Sequence, residues 1–176
     1  MRVQLTALAA LAASLTALPS AAPAASARAE RHPIGATETC ATQSGADFPH
    51  AFTSADNLVT GPLAMIGAGR LTPAATVRQF GGNKFPLLVA AGHTVTIEVA
   101  RGTASLTYGD HSPTDHGVMT FRSCNGRDAA STADGRPVTF WSGSVNVRQP
   151  ACVPLRIWVD RERKPRRAHV ALGRRC

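Results

Sequence analysis

The chain has 176 residues, a formal net charge of +8 at pH 7 and a hydrophobic fraction of 44%. This length and apolar content suffice for the core of one domain. The 15 glycines and 12 prolines are too many for a long coiled coil and too few for a collagen-like repeat. After the first thirty residues, no stretch is long and apolar enough to span a bilayer, so we do not expect a membrane-spanning protein.

The first 27 residues have the three parts of a secretory signal peptide. Arg2 gives a positive start, an apolar run extends from Leu5 to Leu18, and Ala25-Ser26-Ala27 offers a small-residue cleavage site before Arg28. An uncleaved membrane anchor is the alternative, which the shortness of the run disfavours. The sequence therefore predicts a secreted, extracellular protein with a signal peptide over residues 1–27.

All four cysteines lie beyond this cleavage site. In an oxidising compartment an even number of cysteines predicts two disulfides. A zinc site is the rival interpretation, but no CxxC pair is present. The cysteines are Cys40, Cys124, Cys152 and Cys176.

The mature chain divides into two parts. Residues 28–56 have no clear period and are expected to form an extended arm pinned at Cys40, followed by a β-sandwich domain over residues 57–176. In this domain Val95, Ile97 and Val99 alternate with polar residues, as in a half-buried strand. No segment of about ten residues or more has a sustained helical period. We therefore expect an all-β fold, an antiparallel β-sandwich, Ig-like or jelly-roll, of about seven to nine short strands and no helix.

Between Val138 and Val147 the apolar residues shift from even to odd positions along the predicted strand. Val138 and Phe140 occupy even positions, whereas Val145 and Val147 occupy odd ones. One extra residue in a ladder has this effect, so the pattern predicts a β-bulge at Gly143.

The apolar pattern of the last two predicted strands predicts one disulfide pairing. Aligning their apolar faces places Val159 opposite Ala168 and Leu155 opposite Leu172. With a bulge at Gly173, this register would bring Cys152 and Cys176 together, and Cys40 and Cys124 would pair by elimination. A bond between Cys124 and Cys152 remains the alternative.

Five short motifs along the chain are Gly61-Pro-Leu-Ala64, Thr120-Phe-Arg-Ser-Cys124, Phe140-Trp-Ser-Gly-Ser144, Cys152-Val-Pro-Leu155 and Gly173-Arg-Arg-Cys176. With these motifs the chain resembles a group of small secreted β-sandwich proteins of high-GC Gram-positive bacteria. The group has no assigned activity, so the resemblance implies an exported β-sandwich and no catalytic residue.

One predicted loop carries two Asp-His pairs. His111, Asp115 and His116 are candidate ligands for a transition metal, because imidazole nitrogen and carboxylate oxygen bind such ions. Acid–base catalysis is a second interpretation, and a polar turn that bonds to its own backbone is a third.

Nearly all the excess positive charge lies near the C-terminus. Such a patch concentrates field and can hold phosphate or carboxylate groups, so an anionic cell-wall polymer or another acidic surface is the expected partner. The alternative is a solvated turn kept soluble by its charges. We expect no specific nucleic acid, since Trp158 is the only aromatic residue of the segment. The candidate polyanion-binding residues are Arg156, Arg161, Arg163, Lys164, Arg166 and Arg167.

These observations favour a secreted, non-catalytic binding or structural protein of the cell envelope. No catalytic serine motif or dinucleotide fingerprint occurs, and no cofactor is expected. Trp141 and Trp158 are candidates for a sugar-stacking platform, with burial under a second sheet as the alternative. A small exported metal-dependent enzyme and a protease inhibitor are the other functions that the sequence leaves open.

The signal peptide leads to a direct test. Intact mass of the secreted protein should correspond to a chain that begins near Arg28, because signal peptidase cuts after small residues. A secreted protein that retains the run from Leu5 to Leu18 would contradict the assignment.

Overall fold

A computed structural model describes residues 32–109 and 116–176. The signal peptide, His111 and Asp115 lie outside these residues. The described part contains one helix, α1 (Ala74–Phe80), a short 3-10 helix (Cys40–Thr42) and thirteen strands. The strands are β1 (Ala36–Glu38), β2 (Leu58–Thr60), β3 (Leu63–Met65), β4 (Gly82–Lys84), β5 (Leu87–Ala90), β6 (Thr94–Val99), β7 (Ala104–Tyr108), β8 (Val118–Arg122), β9 (Ser131–Ala133), β10 (Arg136–Trp141), β11 (Gly143–Val147), β12 (Ala151–Val159) and β13 (Arg166–Leu172).

The strands form three sheets. Sheet A has the order β1-β8-β6-β12-β13, sheet B the order β2-β3-β5-β10-β9, and sheet C the order β4-β11-β7. Among these neighbouring strands, only β1 and β8 run parallel. No helix in the described part is long and apolar enough to cross a membrane. The prediction of an all-β fold with two disulfides is confirmed.

The main core lies between sheet A and the other two sheets. Val95, Ile97 and Val99 of β6 are buried in it, which confirms the alternation read in this strand. Sheet B contributes Leu87 and Val89, and sheet C contributes residues of β7 and β11 to the same core. Each fully buried aliphatic side chain contributes roughly 1.5–3 kcal/mol to the stability of the fold. The side chains of the main core therefore supply most of the stabilisation.

A second apolar cluster covers the outer face of sheet B. Leu88 and Val138 belong to it, and Phe48 and Phe52 of the N-terminal segment pack against it. The rings of Phe48 and Phe140 meet edge to face at 4.8 Å between centroids. Sheet B is therefore apolar on both faces, because the segment before β2 forms a third, partial layer.

This double coverage explains why the predicted β-bulge at Gly143 is wrong. Trp141 lies opposite Leu87 in sheet B, and Ser144 lies opposite Lys84 in sheet C. Both strands advance three residues between these pairs, so the register is continuous and contains no extra residue. Val138 belongs to the second cluster, whereas Trp141 and the valines of β11 belong to the main core. The alternation changes because the apolar side chains serve two cores.

The expected number of strands and the expected absence of helices are also wrong. Five of the thirteen strands have only three residues each, too few to show a period. Helix α1 has seven residues and one buried residue, Val77. It begins after Pro73 and ends at Gly81, which has a φ of 70°. Glycine adopts this left-handed conformation readily, which makes it a common residue after a helix.

Both predicted disulfides are present, but the hairpin register that suggested one of them is wrong. The Cα atoms are 4.7 Å apart in Cys40–Cys124 and 5.0 Å apart in Cys152–Cys176. Leu155 lies opposite Ala168, not opposite Leu172. The connection is longer than expected, because the last two residues of β12 pair with β6 alone. The chain then turns at Gly173, where φ is 74°, and Cys176 returns to Cys152.

Gly143 is required because another strand approaches closely. A Cβ atom there would collide with the ring of Tyr108 and the carbonyl oxygen of Thr107. We expect Gly143→Ala to lower the free energy of unfolding by about 1–3 kcal/mol, as overpacking does in other cores. Urea unfolding monitored by tryptophan fluorescence would measure the loss.

Gly126→Ala is the matched control. Its new Cβ would meet only the Pro137 ring at 3.4 Å, an ordinary contact, so stability should change by less than about 0.5 kcal/mol. Equal effects of the two substitutions would contradict the packing described for Gly143.

Candidate functional site

The β12–β13 hairpin carries the basic residues that the sequence singled out. Strand β12 has nine residues and pairs with β6 on one side and with β13 on the other. Its inward side chains, among them Leu155 and Ile157, are buried in the main core. The hairpin is therefore held over its whole length, and its connecting turn (residues 160–165) projects from the end of sheet A.

Asp160 fixes the start of this turn to the neighbouring strand. Its backbone N–H donates to the carbonyl oxygen of Thr94 at 2.7 Å. In return, the backbone N–H of Thr94 donates to Oδ1 of Asp160 at 2.9 Å. Nδ1 of His93 lies 2.8 Å from Oδ2. The turn is thus tied to the start of β6 by two contacts with Thr94 and one with His93, the residue before this strand. The sequence pattern indicated none of them.

The pKa of Asp160 is lower than the ordinary value of an aspartate. Partial burial alone would raise this pKa, but the hydrogen bond from Thr94 and the contact with His93 stabilise the carboxylate and prevail. Asp160 therefore contributes to stability as an ion, and it offsets one of the nearby positive charges.

Two of the six candidate arginines and lysines are engaged by carboxylates. Arg166 donates to Glu162 from Nε at 3.1 Å and from Nη2 at 2.5 Å. These hydrogen bonds raise the pKa of Arg166. Arg156 forms an ion pair with Glu98 at 3.1 Å, and its guanidinium lies 4.9 Å from the ring centroid of Trp158. Both side chains are held in place and have part of their charge neutralised.

The other four candidates are exposed on the hairpin and have no ion-pair partner within residues 32–109 and 116–176. We call them the tip cluster. A group of uncompensated cations on a fixed turn creates a local positive potential and attracts phosphate or carboxylate groups. The tip cluster comprises Arg161, Arg163, Lys164 and Arg167.

The N-terminal segment also contacts the hairpin. Nε2 of His32 lies 2.7 Å from the carbonyl oxygen of Glu162. The His32 ring packs against Trp158, with 5.9 Å between the ring centroids. This contact lies at the turn end of the hairpin and leaves the side chains of the tip cluster exposed.

The two tryptophans do not form a sugar-stacking platform. Trp141 has no exposed surface and Trp158 is only 1% exposed, so neither ring has an open face. Nε1 of Trp141 donates towards Thr39 and Thr42 of the N-terminal segment, at 3.2 Å and 3.1 Å. The tryptophans thus hold layers together instead of presenting a surface.

Only one of the three candidate metal ligands lies in the described part of the chain. The backbone of His116 pairs with Leu106, whose N–H donates to the His116 carbonyl oxygen at 2.9 Å. Within residues 32–109 and 116–176, no group of three or more His, Cys, Asp or Glu residues is arranged to hold a metal ion. His111 and Asp115 lie outside these residues, so the metal site stays a prediction.

One buried acidic residue, Glu38, was not predicted from the sequence. Glu38 at the end of β1 has no exposed surface, and its Oε2 accepts a hydrogen bond from Oγ1 of Thr42 at 2.5 Å. A Cβ at Gly109 would collide with this carboxylate. Glu38 stands in a stretch without alternation, so no pattern in the sequence marked it as buried.

No protein-family model, no curated protein and no solved structure matches this chain. Its function is therefore inferred from the geometry of the described residues.

The Asp160 contacts lead to a pH-dependent prediction. Because the folded-state pKa of Asp160 is lowered, its contribution to stability is present above its unfolded pKa of about 3.9 and is lost as the pH falls through the folded-state value. We expect Asp160→Asn to destabilise the protein at pH 7 by less than about 1 kcal/mol, since the carboxylate is partly exposed. The difference from the unchanged protein should shrink below about pH 4. Thermal unfolding across this pH range would measure it.

Asp128→Asn serves as the control, since Asp128 is exposed and its side chain has no partner in the described residues. A destabilisation by Asp160→Asn that does not change with pH would show that the charge of Asp160 is irrelevant.

Proposed function

We propose that this protein is secreted, has no catalytic role and binds anionic polymers of the cell envelope through the tip cluster. One observation carries the proposal. The four cations of the tip cluster are exposed without ion-pair partners in the described residues, whereas Arg156 and Arg166 next to them are paired. The hairpin thus separates basic residues that hold the fold from basic residues that are open to a ligand.

The arrangement suits a polymer better than a single small anion. The tip cluster lies on a projecting turn and an edge strand, where each charge is surrounded by water. A single exposed ion pair contributes only about 0–1 kcal/mol, so useful affinity requires several contacts at once. A chain with repeated phosphate or carboxylate groups provides them, and guanidinium groups bind both kinds of anion in a bidentate manner.

The fixed geometry of the hairpin supports this function. The Cys152–Cys176 disulfide holds one end of the hairpin, and the contacts of Asp160 with Thr94 hold the other. A site whose backbone is already ordered loses less entropy on binding than a flexible tail does. Export agrees with the two disulfides, because such bonds persist in oxidising compartments. Among polymers outside a Gram-positive cell, wall teichoic and teichuronic acids have the required repeated charges.

Neutralising the tip cluster should abolish polymer binding without unfolding the domain. We expect the variant with all four residues changed to Ser to lose binding to purified teichoic acid. Binding of the unchanged protein should weaken roughly ten- to a hundredfold between about 50 mM and about 200 mM salt, as expected for about four neutralised phosphates. Cosedimentation with isolated cell wall and titration calorimetry would measure both effects.

The control variant removes four other exposed arginines that have no ion-pair partner in the described residues, and so has the same net charge. It should bind the polymer nearly as well as the unchanged protein. Equal losses in both variants would mean that net charge alone governs binding, which would overturn the proposal. Preference for DNA or acidic lipid vesicles over the wall polymer would refute the proposed ligand. The control changes Arg78, Arg127, Arg136 and Arg175 to Ser.

A further inference from the structure

A cleft of about 530 Å³ opens at the other end of the sandwich. Two charged side chains, Arg101 and Arg148, line it together with Ser105 and His116. Four of the fourteen described lining residues are glycines, which expose their backbone to the cleft. A cleft of this size is in the range that holds a small ligand. The glycines are Gly35, Gly81, Gly102 and Gly117.

The strand register shows that this cleft is remote from the tip cluster. Val95 pairs with Val159 next to the hairpin turn, whereas Val99 pairs with Leu155 at the other end of β6. Arg101 follows Val99, and Arg148 precedes β12. The six residues of β6 separate the two regions by about 20 Å, at about 3.3 Å per residue. This separation exceeds the Debye length of about 8 Å at physiological salt, so the two positive regions act independently.

The lining presents donors that have no protein partner among the described residues. Arg101 and Arg148 are exposed and have no ion-pair partner in the described part of the chain. Ser105 is partly buried, and its hydroxyl makes no hydrogen bond with a described residue. None of the described lining residues is acidic. Arg101, Arg148 and Ser105 line one concave site. Their guanidinium and hydroxyl groups are the kind of donor that an oxyanion with neighbouring hydroxyl groups needs.

The glycines give this cleft its shape. A Cβ at Gly117 would lie 3.1 Å from Cγ of Arg101, so the aliphatic part of Arg101 rests directly on the backbone. Gly102 turns the chain between β6 and β7 with a φ of 78°, and a Cβ there would meet no atom within 4 Å. Walls made of backbone leave room for a ring and place peptide groups within reach of ligand hydroxyls.

We propose that this cleft binds a small sugar that carries one phosphate or carboxylate group. The two guanidinium groups of Arg101 and Arg148 hold the oxyanion, and the Ser105 hydroxyl bonds to a hydroxyl group of the sugar. This site is separate from the tip cluster in residues and in position, so it does not depend on the polymer-binding function.

The test uses glucose 1-phosphate, glucuronate, glucose and inorganic phosphate as probes in titrations followed by NMR. We expect at least one of the two acidic sugars to bind about tenfold more tightly than glucose and than inorganic phosphate. Binding of glucose 1-phosphate alone would assign a phosphate ester, binding of glucuronate alone a carboxylate, and binding of both a general oxyanion site. The paired substitution Arg101→Gln and Arg148→Gln should weaken the acidic sugars about tenfold or more.

Two further variants keep the result interpretable. Ser105→Ala should weaken the acidic sugar and leave inorganic phosphate unchanged, which a general loss of charge or of folding would not do. Changing the four tip-cluster residues to Ser should leave binding of the acidic sugar unchanged. The proposal is overturned if no acidic sugar binds, if glucose or inorganic phosphate binds equally well, or if the paired glutamine variant, shown to be folded by its NMR spectrum, binds the acidic sugars as before.

Discussion

Pairing of β12 on both sides is the constraint on which the rest of this structure depends. The strand is hydrogen-bonded to β6 and to β13, and its inward side chains fill the main core. Because β12 is fixed in this way, Asp160 at its end meets Thr94, and Cys152 near its start meets Cys176. The ends of sheet A therefore become two defined surfaces, one with the hairpin turn and the other with the cleft beside Arg101.

Much of the fold follows from the alternation of apolar and polar residues along each strand. This alternation shows which face of a strand is buried, but not which residues of two neighbouring strands lie opposite each other. Val95, Ile97 and Val99 were correctly placed on a buried face. The β12–β13 register was wrong because registers that differ by an even number of residues bury the same faces. The predicted disulfide pairing was correct although the register was not, because the turn at Gly173 brings Cys176 to Cys152 in the observed register as well. The bulge at Gly143 was wrong because alternation assumes one core, and β10 contributes to two.

For the candidate site, the sequence predicted only that basic residues accumulate in one segment, not which of them are open to a ligand. The sequence showed that basic residues accumulate after Arg156, but six similar cations divide into two paired and four open ones through tertiary contacts. Arg166 is paired with Glu162 of the adjacent turn, whereas Arg156 is paired with Glu98 on the neighbouring strand. The cleft had no signal in the sequence, because Arg101 and Arg148 are far apart in the chain and meet only through the order of the strands in the sheets.

Mapping the bound polymer on the folded protein tests the central claim most directly. Backbone amide signals of the isotope-labelled protein would be followed by NMR during titration with a short poly(glycerol phosphate) chain. The account expects chemical-shift changes concentrated in residues 160–167, with those at Gly102 and Ser105 unchanged. Shift changes spread evenly over the arginines of the surface, or centred away from the β12–β13 hairpin, would contradict it.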